Sequence, residues 1–254
     1  MQKSDIDFEG IYMGSTELLY VIANDVFAQF PGYVRGVVIA HGVKNGDSPY
    51  ELISMLRSAE VSVREQFKEE TIVEDPRIVS WREAYRSFGA KPAKFRPSME
   101  AMARRVLHNQ EIPSINILVD IGNLVSLRHI IPVGGHAIDF VKEGLSLRAA
   151  NGDEKFTPFG SDEIESPLPG EIIFAEGDKV LTRRWTWRQA NHTLLVETTT
   201  AVEFNVDALP PVSIGEVEEI CREISELVER FCGGHTRHEI MTEKNARIRI
   251  DEIK

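Results

Sequence analysis

Cysteine is nearly absent: only Cys221 and Cys232 occur among 254 residues. Two thiols cannot build a disulfide framework, so packing must hold the fold, and the chain suits a reducing compartment. No apolar run approaches the roughly 18 residues that a bilayer span requires. The opening MQKSDIDFEG also lacks the pattern of a secretion signal. A cytoplasmic location without a membrane partner is expected. There is no internal repeat, low-complexity tract or Gly/Ser linker, which points to a single domain over 1–254. Several chemical signatures are missing as well: GxxxxGKS/T, GxGxxG after a strand, GxSxG and HExxH. Their absence removes most support for nucleotide hydrolysis, hydride transfer and the usual serine or zinc hydrolases.

Positive charge is scarce too. The net charge of −11 argues against coating nucleic acid by bulk electrostatics, and DNA is not an expected partner. The imbalance is uneven, however. From Arg77 to Arg105 eight lysines and arginines face only Glu83 and Glu100. A basic patch on an acidic body can still meet one phosphate backbone, and Lys91, Lys94, Arg96, Arg104 and Arg105 are the candidates.

Periodicity gives a mixture of helices and strands without regular alternation, hence α+β. Ser15 is expected to cap a helix carrying Leu18, Leu19, Ile22 and Val26, and the run from Tyr33 to Ala40 reads as a strand. Ser48-Pro49-Tyr50-Glu51 predicts a capped helix to about Lys68. Further helices are expected from Pro76 to Phe88 and after a capping Ser98. Ser114–Ile121 reads as a buried strand that breaks at Gly122-Asn123, and Leu145–Ala150 as another. Glu171–Ala175 and Lys179–Trp187 form a predicted hairpin, and Val202, Phe204 and Val206 alternate as in a half-buried strand. Ser213 and Glu216 open the last helix, with Gly233-Gly234 as its stop.

Four features could carry chemistry. An apolar strand ending in Gly122-Asn123-Leu124-Val125-Ser126 would deliver Asn123 and Ser126 to a pocket edge. His136 is flanked by Gly134 and Gly135, which would let the backbone approach a ligand; otherwise it is a loop histidine bonded to Asp139. The segment Arg183-Arg184-Trp185-Thr186-Trp187-Arg188-Gln189 could stack a base and hold a phosphate, or supply a core tryptophan pair. Strand alternation would place Arg183, Trp185 and Trp187 on one face. Glu197, an acid inside an apolar run, should be paired or used. Cys232, His235 and His238 have zinc-like spacing but no evident fourth ligand, so they read as ordinary loop residues. Neither metal nor cofactor is expected.

Together, Phe88-Gly89-Ala90-Lys91-Pro92, Arg96-Pro97-Ser98-Met99-Glu100, Val119-Asp120 with Asn123–Leu127, Leu147-Arg148-Ala149-Ala150, Pro169-Gly170-Glu171 and Arg184–Gln189 form a pattern. Over roughly Ser80 to Leu209 the chain resembles the free-standing form of the B-three/B-four editing module of the phenylalanyl-tRNA synthetase β subunit. The resemblance implies a three-layer α/β fold with its core near 80–209. Residues 1–79 and a C-terminal helix over 213–232 would then pack onto that core. It also implies a trans-editing hydrolase that deacylates mischarged aminoacyl-tRNA, with the acceptor end and the amino-acid moiety as partners. Asn123 and His136 match the module's reactive positions, and Glu197 is the likeliest match for its substrate-reading glutamate. Ser126, Arg183, Trp187 and Arg188 would complete the substrate wall. The histidine loop is about two residues longer than the synthetase's, and the Arg/Trp segment replaces a Gly-rich strand. The competing reading is a module that binds tRNA or a free amino acid without cleaving it.

Overall fold

A computed structural model of the protein describes residues 18–251. Two sheets lie face to face. One runs β10-β1-β4-β5-β6-β7, made of Arg247–Arg249, Leu19–Ile22, Leu145–Ala149, Ile172–Glu176, Lys179–Arg183 and Arg188–Gln189. The other runs β3-β8-β2-β9, made of Val133–Ala137, Ala201–Ala208, Val34–His41 and His235–Met241. Helices α5 (Ile117–His129) and α6 (Ile214–Cys232) cover the second sheet, and α2 (Tyr50–Gln66) packs on α5. The layers are therefore helix, four-stranded sheet, six-stranded sheet. Shorter helices α1 (Asn24–Gln29), α3 (Pro76–Ser87) and α4 (Ser98–Leu107), with one 3-10 turn over Ile72–Glu74, complete the described elements. No described helix is long and apolar enough to cross a membrane.

Alternation on β8 explains this layering. Val202, Phe204 and Val206 face the helices, where Phe204 lies against Gly122 of α5. Glu203, Asn205 and Asp207 point the other way, yet the six-stranded sheet buries them as well. The strand is thus buried on both faces, rather than half-buried as its alternation suggested. Gly36 on β2 shows how closely α6 approaches. A Cβ there would sit 2.3 Å from Cys221 Sγ and 2.8 Å from Val217 Cγ1.

The N-terminal third is woven into both sheets rather than packed onto a finished core. β1 lies between β10 and β4, and β2 lies between β8 and β9. Helix α6 does lie against the sheet as a cover.

Several local expectations are corrected. Ser15 lies outside the described residues, and Leu19–Ile22 is a strand instead of part of a helix. Ser114–Ile121 is not a strand: Asn116 caps α5 by accepting from the Val119 N–H at 3.0 Å, and the helix runs through Gly122-Asn123. It is apolar nearly all round because α2, α6 and the sheet surround it. Asp120 inside it takes the Ser48 hydroxyl at 2.6 Å, so Ser48 does not cap α2, which starts from Pro49 without a side-chain cap. Nor does Ser98 cap α4, whose N-cap is Pro97. Asp75 caps α3 and Ser213 caps α6, whereas the Glu216 carboxylate pairs with Arg77 instead of closing the box. His235 and His238 are strand residues of β9 and not loop residues.

Candidate active site

Between the sheets lies a buried polar layer that the sequence conceals as strand alternation. Arg35 on β2 holds Asp207 on β8 with two parallel bonds, Nε to Oδ1 at 2.7 Å and Nη2 to Oδ2 at 2.8 Å. Its Nη1 donates to the Tyr20 hydroxyl, and the Tyr33 hydroxyl and Trp185 Nε1 donate to Asp207. All five side chains are essentially buried. Such a pair is expensive to desolvate, and these extra donors offset that cost.

His136 stands in the same layer on β3, paired across strands with Glu203. Its Nδ1 meets Thr193 Oγ1 at 2.7 Å, its Nε2 meets Thr182 Oγ1 at 3.3 Å, and Phe174 packs edge-on at 5.1 Å. Burial, helped by the nearby Arg35 and His192 charges, pushes its pKa down to about 3, so the imidazole is neutral. The alternative reading, a loop histidine bonded to Asp139, does not hold. Asp139 Oδ1 accepts from Thr200 N at 3.0 Å and Ala201 N at 3.2 Å instead. Glu203 is fully buried, and burial raises its pKa to about 7 against the pull of Arg35. Its Oε1 has no hydrogen-bond partner, while its Oε2 accepts from Asn205 Nδ2 at 3.4 Å. The acid that accompanies His136 is therefore Glu203 and not Glu197, which is exposed on a turn at the rim of a cleft.

Two adjacent cavities that share lining residues open beside this layer. A small chamber of about 160 Å³ is lined by Arg35, His136, Phe174, Asn205 and Asp207. A larger cleft of about 690 Å³ is lined by Asn123, Leu118, Val119, Leu195, Phe204 and Glu197. Val133, Gly134, Trp187, Arg188 and Gln189 border both. Asn123 thus reaches the cleft from the middle of a helix instead of from a strand edge. The glycines before His136 make room for neighbours. A Cβ on Gly134 would meet Asn205 Oδ1 at 2.8 Å, and one on Gly135 would meet Leu195 Cδ1 at 2.7 Å.

The Arg/Trp segment divides. Arg184 and Trp185 have positive φ, 46° and 63°, so the strand turns there and the expected alternation fails. Trp185 is a core residue packed edge-on against Phe30, Tyr33 and Trp81. Arg183 is spent structurally, donating to Glu171 Oε1 and Oε2, each at 2.9 Å, and to Glu165 at 2.7 Å. It lines neither cavity, so it leaves the substrate wall. So does Ser126, whose buried hydroxyl donates to the Ile131 carbonyl at 2.6 Å and fastens the end of α5. Trp187 and Arg188 remain at the mouth.

Trp187 links the cleft to the basic surface. Phe95 lies edge-on to it at 4.9 Å, and the Arg184 guanidinium sits 3.7 Å from the Phe95 ring and 4.4 Å from the Trp187 ring. Phe95 belongs to the loop that exposes Lys91, Lys94 and Arg96. Arg105 is exposed on α4, with its Nε on the Glu111 carbonyl. Arg104 is less available, since it joins Arg82 on buried Glu100. Among the described residues no three His, Cys, Asp or Glu side chains gather as a metal set, and Cys232, His235 and His238 form none.

The model of the family described as the B3/4 domain matches residues 80–242, more than half of the chain. No curated protein matches the chain. Among solved structures it is similar to an N-terminal fragment of the phenylalanyl-tRNA synthetase β-subunit from Pyrococcus horikoshii, at 12% identity and a TM-score of 0.44. That likeness covers 88% of this chain and 51% of the other, so this chain spans about half the length of that fragment.

Proposed function

We infer that this chain, which belongs to the B3/4 domain family, deacylates mischarged aminoacyl-tRNA in trans. The observation that carries the reading is the continuity of three regions. An exposed basic loop packs through Phe95 on Trp187, Trp187 borders the apolar cleft, and the cleft shares Trp187, Arg188 and Gln189 with a polar chamber. A basic surface suits the phosphates of the acceptor end. The small chamber suits the amino-acid side chain: its volume is close to the roughly 150 Å³ that takes a benzene ring. The ester would then lie where the cavities meet, between Asn123 and His136.

An aminoacyl ester is already activated, so the protein's main task is to position water and reject the wrong substrates. Asn123 supplies an amide for the water or the ribose. Neutral His136 and its threonine partners hold a fixed set of polar atoms rather than an imidazolium. Glu203 lines neither cavity and stands behind His136 as its cross-strand partner, with its carboxyl raised by burial to about 7. Asn205 does line the chamber, and a pocket acceptor that expects a polar group discriminates against an apolar analogue by on the order of four logs.

One observation favours a binding module without catalysis: both His136 nitrogens are already engaged, which leaves it a poor general base. Incubation with a panel of mischarged tRNAs, at enzyme excess, separates the readings. Accelerated release of one or more amino acids supports the hydrolase, and tight binding with no acceleration supports the module.

A further inference from the structure

The rim of the large cleft carries an unusual amount of open apolar surface. Phe159 is 64% exposed, Ile115 58% and Val196 48%, and all three line the cleft. These residues are held in place. Asn45 donates to the Val196 carbonyl at 2.9 Å, Phe159 N donates to Gln189 O at 3.2 Å, and Arg188 Nη2 reaches the Phe159 carbonyl at 3.4 Å. Apolar side chains left in water together along one cleft, on a main chain held in place, mark a surface that a ligand can cover. The cleft is also several times larger than the side-chain-sized chamber beside it. A free or esterified amino acid whose side chain fills the chamber leaves this outer volume empty.

We propose that the rim seats the 3′-terminal nucleoside of the acceptor end, with its base on Phe159 between Ile115 and Val196 and its phosphate toward Arg188. The occupant follows from the rim's chemistry. A π face wants a planar ring, the guanidinium beside it wants an anion, and Lys91, Lys94 and Arg96 continue the positive charge along the next nucleotides. The inference rests on the tRNA reading above and adds the base-stacking residue to it.

The test is a calorimetric titration of the full chain with the trinucleotide CCA, in the wild type and in Phe159→Ala and Phe159→Tyr variants. Phe159 is exposed, so neither substitution should disturb folding. The expected result is binding that weakens about tenfold or more in Phe159→Ala, as loss of one stacked base implies, and that persists in Phe159→Tyr. Deacylation by Phe159→Ala should show a raised KM with kcat little changed. No CCA binding, or equal affinity in wild type and Phe159→Ala, overturns the nucleoside seat even if esters are cleaved. Phe159-dependent CCA binding by a protein that cleaves no ester upholds the seat and refutes the hydrolase reading alone.

Discussion

Glu203 is the residue whose environment matters most. It faces Tyr20, Arg35, His136, Asn205 and Asp207 in the layer between the sheets, and burial lifts it from its ordinary 4.5 to about 7. Between those values the folded protein keeps a proton that the unfolded chain has released, so stability falls as pH rises through the window. His136 acts in the opposite sense. Between its ordinary 6.5 and about 3 the unfolded chain binds a proton that the folded protein refuses, so stability falls as pH drops there. In Glu203→Gln the first dependence should vanish. Relative to wild type the variant should gain on the order of 3 kcal/mol between pH 4.5 and pH 8, measured by urea unfolding. Parallel pH profiles for the two proteins would show that Glu203 is not held protonated. This residue was hard to see in the sequence because Glu203, Asn205 and Asp207 look like the wet face of a strand. Only the partner sheet makes that face an interior. That Asn123 and His136 line cavities was legible through their neighbours, whereas Ser126 and Arg183 line neither because their hydrogen bonds are spent inside the fold.

At the scale of elements, α6 packs tightly against β2 at Gly36. Gly36→Val would drive a side chain into Cys221 and Val217, and overpacking of this kind typically costs about 1–3 kcal/mol. A lowered urea midpoint checks it, and an unchanged midpoint would mean that α6 shifts freely. Helix periodicity in α2, α3, α4 and α6 was readable because each has one wet face. Helix α5 was not, because a helix buried on all sides shows the continuous apolar run of a buried strand. Its Asn116 cap and its length were the available signals. The turn at Arg184-Trp185 was equally hidden, since no glycine marks its two left-handed residues. The burial of Trp185 holds that conformation in place.

The molecule as a whole is acidic, with one basic region beside one opening. If that region receives the acceptor end, replacing Lys94, Arg96 and Arg105 with alanine should weaken tRNA binding uniformly across sequences. It should also reduce the salt dependence of affinity by about one unit of slope for each phosphate that is no longer neutralised. A slope unchanged from wild type would place the tRNA elsewhere. Substitution of Arg104 is a poorer probe, because it also removes a partner from buried Glu100. The sharpest test of the hydrolase reading is the single-turnover rate at which saturating protein releases the amino acid from a mischarged tRNA, compared with Asn123→Ala under the same conditions. Release should run well above the spontaneous rate, and the variant should lose on the order of a hundredfold with tRNA affinity retained. Release no faster than the spontaneous rate for every mischarged tRNA, or equal rates in the two proteins, would refute that reading.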